Sequence, residues 1–317
     1  VADDAELLRE HLTDLHGIRV TDLLTLDQDV VLMRRSDGPS WVARWFARSR
    51  PLDAVRGDAE ILRWLAEQGF PAERCATDEP VSELDGRAVL VTEAVRSVPR
   101  SERRKAIKDA GGLAELGAML GRLSTLEPPS GAASRPGGAW HHAADGSPAA
   151  EIAAARSWLE EAQERAPARE LAHFAAIEDE LDSLDDGAGL PQAFIHPDFV
   201  FANVVATDEP GMVVVDWAGA GVGPRAWPLA FLLWAEAVKD PRRAALARAG
   251  YRRVVKLTAV EVDRLAGMMR ARPLIFGLWR LHTGITNAAA IVAGATEQRR
   301  LTTSLADRIR ARFEEEA

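Results

Sequence analysis

The sequence predicts an α+β chain in two unequal parts, a small β-rich front and a larger α-rich back. Three observations predict it. The first 98 residues hold two hairpin signals between strand-like runs, Ser36-Asp37-Gly38-Pro39-Ser40 and Asp85-Gly86. A single helical pattern, 58–68, interrupts those strands, with Ile61, Leu62 and Leu65 on one face and Gly69 as its stop. Beyond residue 98 apolar side chains recur at helical spacing, with only two short β-like runs among them. The expected division is therefore 1–98 and 99–317, and no internal repeat is found.

In order, 2–16 is expected as an amphipathic helix carrying Leu8, Leu12 and Leu15. Strands follow over 18–26, 30–35 and 41–47, the last two joined by the 36–40 turn. After the 58–68 helix, 73–84 and 87–95 complete a five-stranded antiparallel sheet. In the back part, Leu113, Leu116, Leu120 and Leu123 mark a helix over 112–126. Residues 127–150, rich in Pro, Gly, Ser and Ala, read as an exposed loop, and 151–184 as helix broken at Pro167. Short buried strands are expected at 193–195 and 212–215. Helices then dominate, one of them opened by a capping box of Thr258 and Glu261.

Composition narrows the class. Of 317 residues, 47% are hydrophobic and 27% charged, which supports one large or two medium cores and excludes a mainly disordered chain. A net charge of −9 excludes a protein built to coat nucleic acid. Cys75 is the single cysteine, and neither a signal-peptide pattern nor an apolar run near 18 residues is present. The expectation is a cytoplasmic protein with no membrane partner. Residues 1–98 carry −7 and residues 99–317 only −2, so charge does not argue for a polycationic substrate. Just four basic residues are lysines, none of them in the first hundred positions.

The chemistry concentrates in 194–216. Asp198 follows a short strand, Asn203 comes five residues later, and Asp216 ends the second strand. A hairpin joining the two strand ends would converge three oxygen donors, hard ligands that suit Mg²⁺ bridging phosphates and do not suit zinc. One or two of them suffice for the metal, which leaves the third to take a proton from an attacking hydroxyl.

His196-x-Asp198-x-x-x-x-Asn203 followed by Asp216 resembles the catalytic and metal motifs of the aminoglycoside phosphotransferase family, a relative of the protein kinases. Segments 58–65, 89–95 and 116–123 are similar, in the same order, to that family's small-lobe helix, its last small-lobe strand with hinge, and its first large-lobe helix. The resemblance implies a two-lobed protein-kinase-like fold, with a small antiparallel β lobe bearing one helix and a larger, mainly α lobe. It implies Asp198 as catalytic base, Asn203 and Asp216 as Mg²⁺ ligands, and ATP or GTP as co-substrate. The backbone around Glu93 and Val95 would meet the adenine edge, and His196 would support the catalytic loop without moving protons. The implied acceptor is a small-molecule hydroxyl lying between the lobes; the alternative is a Ser or Thr of a peptide or biosynthetic intermediate.

Several positions depart from the family pattern. Pro197 replaces the glycine after the motif histidine, Ser124 stands where a histidine is usual, and Pro228 replaces the aspartate of a later triplet. The third-strand lysine is Arg44, which can still pair with phosphate oxygens; by register its partner should be Asp58, or Glu60 one position further round. The Gly-rich phosphate loop is missing. Asp27-Gln28-Asp29 stands there, and two acids repel a triphosphate unless they point away. These losses keep a nucleotide-binding pseudokinase as the rival reading. Elsewhere, Gly219-x-Gly221-x-Gly223 is expected as a loop and not a dinucleotide fingerprint. His141-His142 has no acidic or cysteine companions for a metal, Trp140 is expected either to close over a substrate or to be a plain exposed loop aromatic, and the acidic run 178–186 is expected as a solvated helix face.

Overall fold

Helix α1 (Ala2–His16) leads into strands β1 (Val20–Asp27), β2 (Val30–Arg35) and β3 (Trp41–Trp45). Helix α2 (Leu52–Glu67) separates these from β4 (Val81–Leu84) and β5 (Arg87–Glu93). The five strands form one antiparallel sheet in the order β1-β2-β3-β5-β4. The structure is a computed structural model and describes residues 2–99, 101–132, 134–138, 146–208 and 211–315.

Strand alternation decides which face each side chain meets. On β3, Trp41, Ala43 and Trp45 join Leu8 and Leu12 of α1, Met33, Val89 and Val91 in a core on the outer face of the sheet. Leu15, expected on the same helix face, is 53% exposed. A second small-lobe helix thus seals the outer face. The intervening residues of β3 point the other way, so Arg44 stands opposite Leu90 of β5 and Val42 opposite Thr92, on the face turned towards the rest of the chain.

The expected strand over 73–84 is shorter. Only Val81–Leu84 is strand, because 71–75 runs off to meet the large lobe, where Ala72 bridges Val214 in parallel. Likewise α2 begins six residues before Asp58, with Pro51 preceding its first turn.

The back part contains α3 (Arg103–Asp109), α4 (Gly112–Leu123), α5 (Pro148–Glu164) and α6 (Leu171–Asp182). Four short strands follow: β6 (Gln192–Ile195), β7 (Val204–Ala206), β8 (Met212–Val214) and β9 (Gly221–Pro224). Helices α7 (Ala226–Ala237), α8 (Pro241–Arg252), α9 (Ala259–His282) and α10 (Ala288–Glu315) close the chain. The expected β6–β8 hairpin does not form. Instead β6 pairs with β9 and β7 with β8, both antiparallel. The triplet Gly219-x-Gly221-x-Gly223 is thus partly strand, where small residues are needed: a Cβ on Gly221 would lie 2.6 Å from the Arg135 carbonyl oxygen. The acidic run 178–186 is likewise more than a solvated face. Glu180 pairs with Arg299, Asp182 with Arg156 and Asp185 with Arg264, tying α6 and the turn after it to α10, α5 and α9. No helix among the described residues is long and apolar enough to cross a membrane.

Helices α4 and α8 meet backbone to backbone. A Cβ on Gly250 would lie 1.7 Å from the Ala114 carbonyl oxygen, and one on Gly117 1.9 Å from that of Ala247. Gly250→Ala must push the helices apart and is expected to cost roughly 3 kcal/mol in urea unfolding. Gly294→Ala, with nothing within 4 Å of the new Cβ, should instead be neutral or stabilise by up to about 1 kcal/mol.

Candidate active site

The catalytic-motif loop is organised by hydrogen bonds of short sequence range. The Asp198 backbone N–H donates to His196 Nδ1 at 3.0 Å. A backbone N–H can only donate, so Nδ1 is unprotonated, and Nε2–H is left to donate to the Val215 carbonyl at 3.2 Å. His196 is fully buried between Phe199 and Trp217, both edge-on, and burial pulls its pKa down. A neutral ring with both nitrogens occupied ties the loop to the end of β8.

Asn203 donates through Nδ2 to the Asp198 carboxylate at 2.7 Å and to the Asp198 carbonyl at 2.9 Å. With its NH₂ spent on Asp198, the amide offers Oδ1 as its remaining group, the end that a cation can take. The Asn203 carbonyl in turn accepts the Val215 N–H at 3.0 Å. The next residue, Asp216, has φ +69°, a left-handed conformation that Asp and Asn tolerate better than other residues with a side chain. Asp198, Asn203 and Asp216 thus share one hydrogen-bonded frame. Among the described residues no group of three or more His, Cys, Asp and Glu could hold a metal ion. A cation here would draw on Asp216, the Asn203 amide oxygen and the oxygens of phosphate or water, which fits a hard ion carried in with phosphates.

Arg44 reaches into the cleft, but not to its expected partners. Its Nη1 donates to Asp216 Oδ1 at 2.5 Å. Burial opposes its charge, yet Asp216 and Glu73 outweigh that and raise its pKa. Asp58 is turned instead to Arg50, at 2.6 Å, and to Arg135 of the large lobe, so both its oxygens are taken. It works as a clasp between α2 and the large-lobe segment at 135. Glu60 is exposed on the outer side of α2, beside Arg56 and Arg63 in a surface groove.

The acid beside Arg44 is Glu73, which the sequence did not single out. Its Oε1 accepts the Asp216 N–H at 2.8 Å and its Oε2 accepts the Thr92 hydroxyl at 3.1 Å. Burial pushes this carboxyl up, with Arg44 opposing. Its placement comes from the irregular 71–75 segment, where Val214 N–H donates to the Pro71 carbonyl and Glu73 N–H to that of Val214. A second missed residue is Arg272 of α9. Buried against Glu151 and the Phe231 ring, it donates to the Pro197 carbonyl at 2.8 Å, directly before Asp198. No sequence signal distinguishes either from the other charged residues.

At the phosphate-loop position the two acids are drawn aside. Asp29 accepts from Arg87 at 2.7 Å, and Asp27 caps its own turn by accepting the Gln28 N–H at 2.7 Å. Glu93 ends β5 with its N–H given to the Arg74 carbonyl and its side chain exposed; Val95 lies two residues on, after Ala94 has bonded the Ser40 carbonyl. Trp140, His141 and His142 lie outside the described residues.

The sequence pattern of the phosphotransferase enzyme family matches residues 24–259. The chain belongs to this family. Its reaction is phosphoryl transfer to an alcohol, and the family implies a nucleotide and a divalent metal. Solved structures agree on the fold of this phosphotransferase. Choline kinase LicA from Streptococcus pneumoniae superposes with a TM-score of 0.62 at 13% identity, over 93% of this chain and 98% of that one. An aminoglycoside phosphotransferase from Alicyclobacillus acidocaldarius gives 0.58 at 16%, over 93% of each chain. Macrolide 2'-phosphotransferase MphH from Brachybacterium faecium gives 0.55 at 21%, over 90% and 96%. No curated protein matches the sequence.

Proposed function

We propose that the chain moves the γ-phosphoryl group of ATP or GTP to a hydroxyl of a small molecule, with Mg²⁺ as the metal. The observation that carries this reading is the single frame that holds Asp198, Asn203 and Asp216, with Arg44 aimed at Asp216 across the cleft. We keep residues 1–98 as the nucleotide-binding lobe and 99–317 as the catalytic and acceptor lobe, and we place the protein in the cytoplasm.

Asp198 is the base. Its carboxylate takes the acceptor's hydroxyl proton as that oxygen attacks the γ-phosphorus, while the bond to the β-phosphate oxygen breaks and the nucleoside diphosphate leaves. Asn203 restrains the carboxylate through its amide, and Arg272 restrains the preceding carbonyl. Asp216 and the Asn203 amide oxygen would hold the metal, which when bound offsets charge along the phosphates. Asp216 would hold the metal and Arg44 would pair with phosphate oxygens, so that neither charge would be left unpaired once their mutual contact is given up. Glu73 positions Asp216 by accepting its backbone N–H. His196 only positions, and the backbone near Glu93 and Val95 meets the base of the nucleotide.

The rival pseudokinase rests on a missing lysine and a missing Gly-rich phosphate loop, in whose place two acids stand. The Arg44–Asp216 contact and the pairing of Asp29 with Arg87 speak for turnover instead. The test is nucleotide consumption, with ATP and with GTP, across a panel of hydroxyl compounds. In the active pairing, Arg44→Ala should lose roughly 1.5–3 kcal/mol in nucleotide binding or turnover, and Arg44→Lys should recover part of it. No consumption with any acceptor, or full activity in Arg44→Ala, would defeat this reading.

A further inference from the structure

A second cavity, of about 190 Å³, opens between α9 and α10 against Glu180 of α6, and shares no residue with the cleft. Its apolar wall is formed by Pro273, Leu274 and Ile291. Glycines make the room: Gly294 has nothing within 4 Å of an added Cβ, and Gly277 nothing nearer than Ile291 atoms at 3.7 Å.

The polar groups on this wall are nearly all donors. Arg270 is half-buried, donates through Nη2 to the Ser183 carbonyl at 2.9 Å, and has a buried Nε without a hydrogen-bond partner. Among the described residues no carboxylate lies within ion-pair distance of it; Glu180 is engaged by Arg299 at 2.9 Å. Gln298 Oε1 accepts from the Trp234 indole N–H, a group that can only donate, so the amide's remaining hydrogen-bonding group is its NH₂. Arg280 and Thr286 add further donors. A guanidinium drawn out of water with no carboxylate at ion-pair distance is costly. Burial pulls the Arg270 pKa down, the neighbouring charge of Arg299 pulls it further, and the carboxylate of Glu180 opposes them only in part. An anion in the cavity would offset both effects.

We propose that this cavity is a second small-molecule site, one that takes an anionic head group, carboxylate or phosphate monoester, on a short hydrocarbon or aryl body. The head group meets Arg270, Arg280 and the Gln298 NH₂. The body lies on Leu274 and Ile291, in the space the two glycines leave. Nothing in this site depends on phosphoryl transfer in the cleft.

Calorimetric titration of the full chain with benzoate, hexanoate and phenyl phosphate tests the site, with benzamide as the neutral counterpart of benzoate. At least one anion should bind saturably, and at least tenfold more tightly than benzamide. The carboxylates against phenyl phosphate decide which head group is preferred. Arg270→Gln should weaken that binding tenfold or more. Gly294→Leu should fill the cavity and abolish binding while Tm stays level or rises, because the new side chain enters open space. Mg–ATP affinity should stay within twofold in both variants, which separates this result from any failure of the cleft. Absence of saturable binding by all three anions, benzamide binding equally well, or undiminished binding in both variants would overturn the site.

Discussion

Asp198→Ala is expected to lower phosphoryl transfer by roughly 10²–10⁴-fold, the range of a lost general base, while Mg–nucleotide affinity changes by no more than a few-fold. The asymmetry follows from geometry. The carboxylate is held by Asn203 and, as the proposed base, would serve the acceptor's proton, so nucleotide binding should not depend on it. Asp198→Asn sharpens the test. Its amide oxygen can still accept from Asn203, so the loop keeps its shape and only the base is removed. A variant that retains near-normal kcat would show that another group takes the proton.

Asp216→Asn is expected to remove most of the Mg²⁺ dependence of nucleotide binding, a loss of about ten- to a hundredfold, or roughly 1.4–2.8 kcal/mol. Asparagine is the informative choice because it tolerates the left-handed backbone at φ +69°, whereas alanine would add strain to the loss of charge. Titrations with and without Mg²⁺ read the effect. The variant keeps an amide oxygen that can accept from Arg44 but loses the charge that holds the guanidinium there, so nucleotide binding without metal should fall less than binding with it. Equal Mg²⁺-dependent affinity in wild type and variant would take Asp216 out of the metal site.

What could be read from the sequence is what short range decides. The two hairpins, the helix before Gly69 and the capping box at Thr258 and Glu261 all rest on neighbours a few positions apart. The same holds for the heart of the site, where Asp198 contacts residues at 196 and 203. Even the inward face of Arg44 follows from alternation along β3, given which residues of that strand are apolar.

Partners were decided by the tertiary structure alone. Arg44 is 172 residues from Asp216, Glu73 is 143 from it, Arg272 is 75 from Pro197, and Asp58 is 77 from Arg135. An arginine in the sequence carries no mark of which carboxylate it will meet, because charge attraction is indifferent to chain separation and many acids compete. The choice is made by where the lobes place the backbone. The 71–75 segment bridges β8 in parallel, which brings Glu73 under Asp216, while β6 pairs with β9 and leaves β8 to β7. Strands of three or four residues carry too little pattern to select among such pairings, so packing of the surrounding helices selects for them.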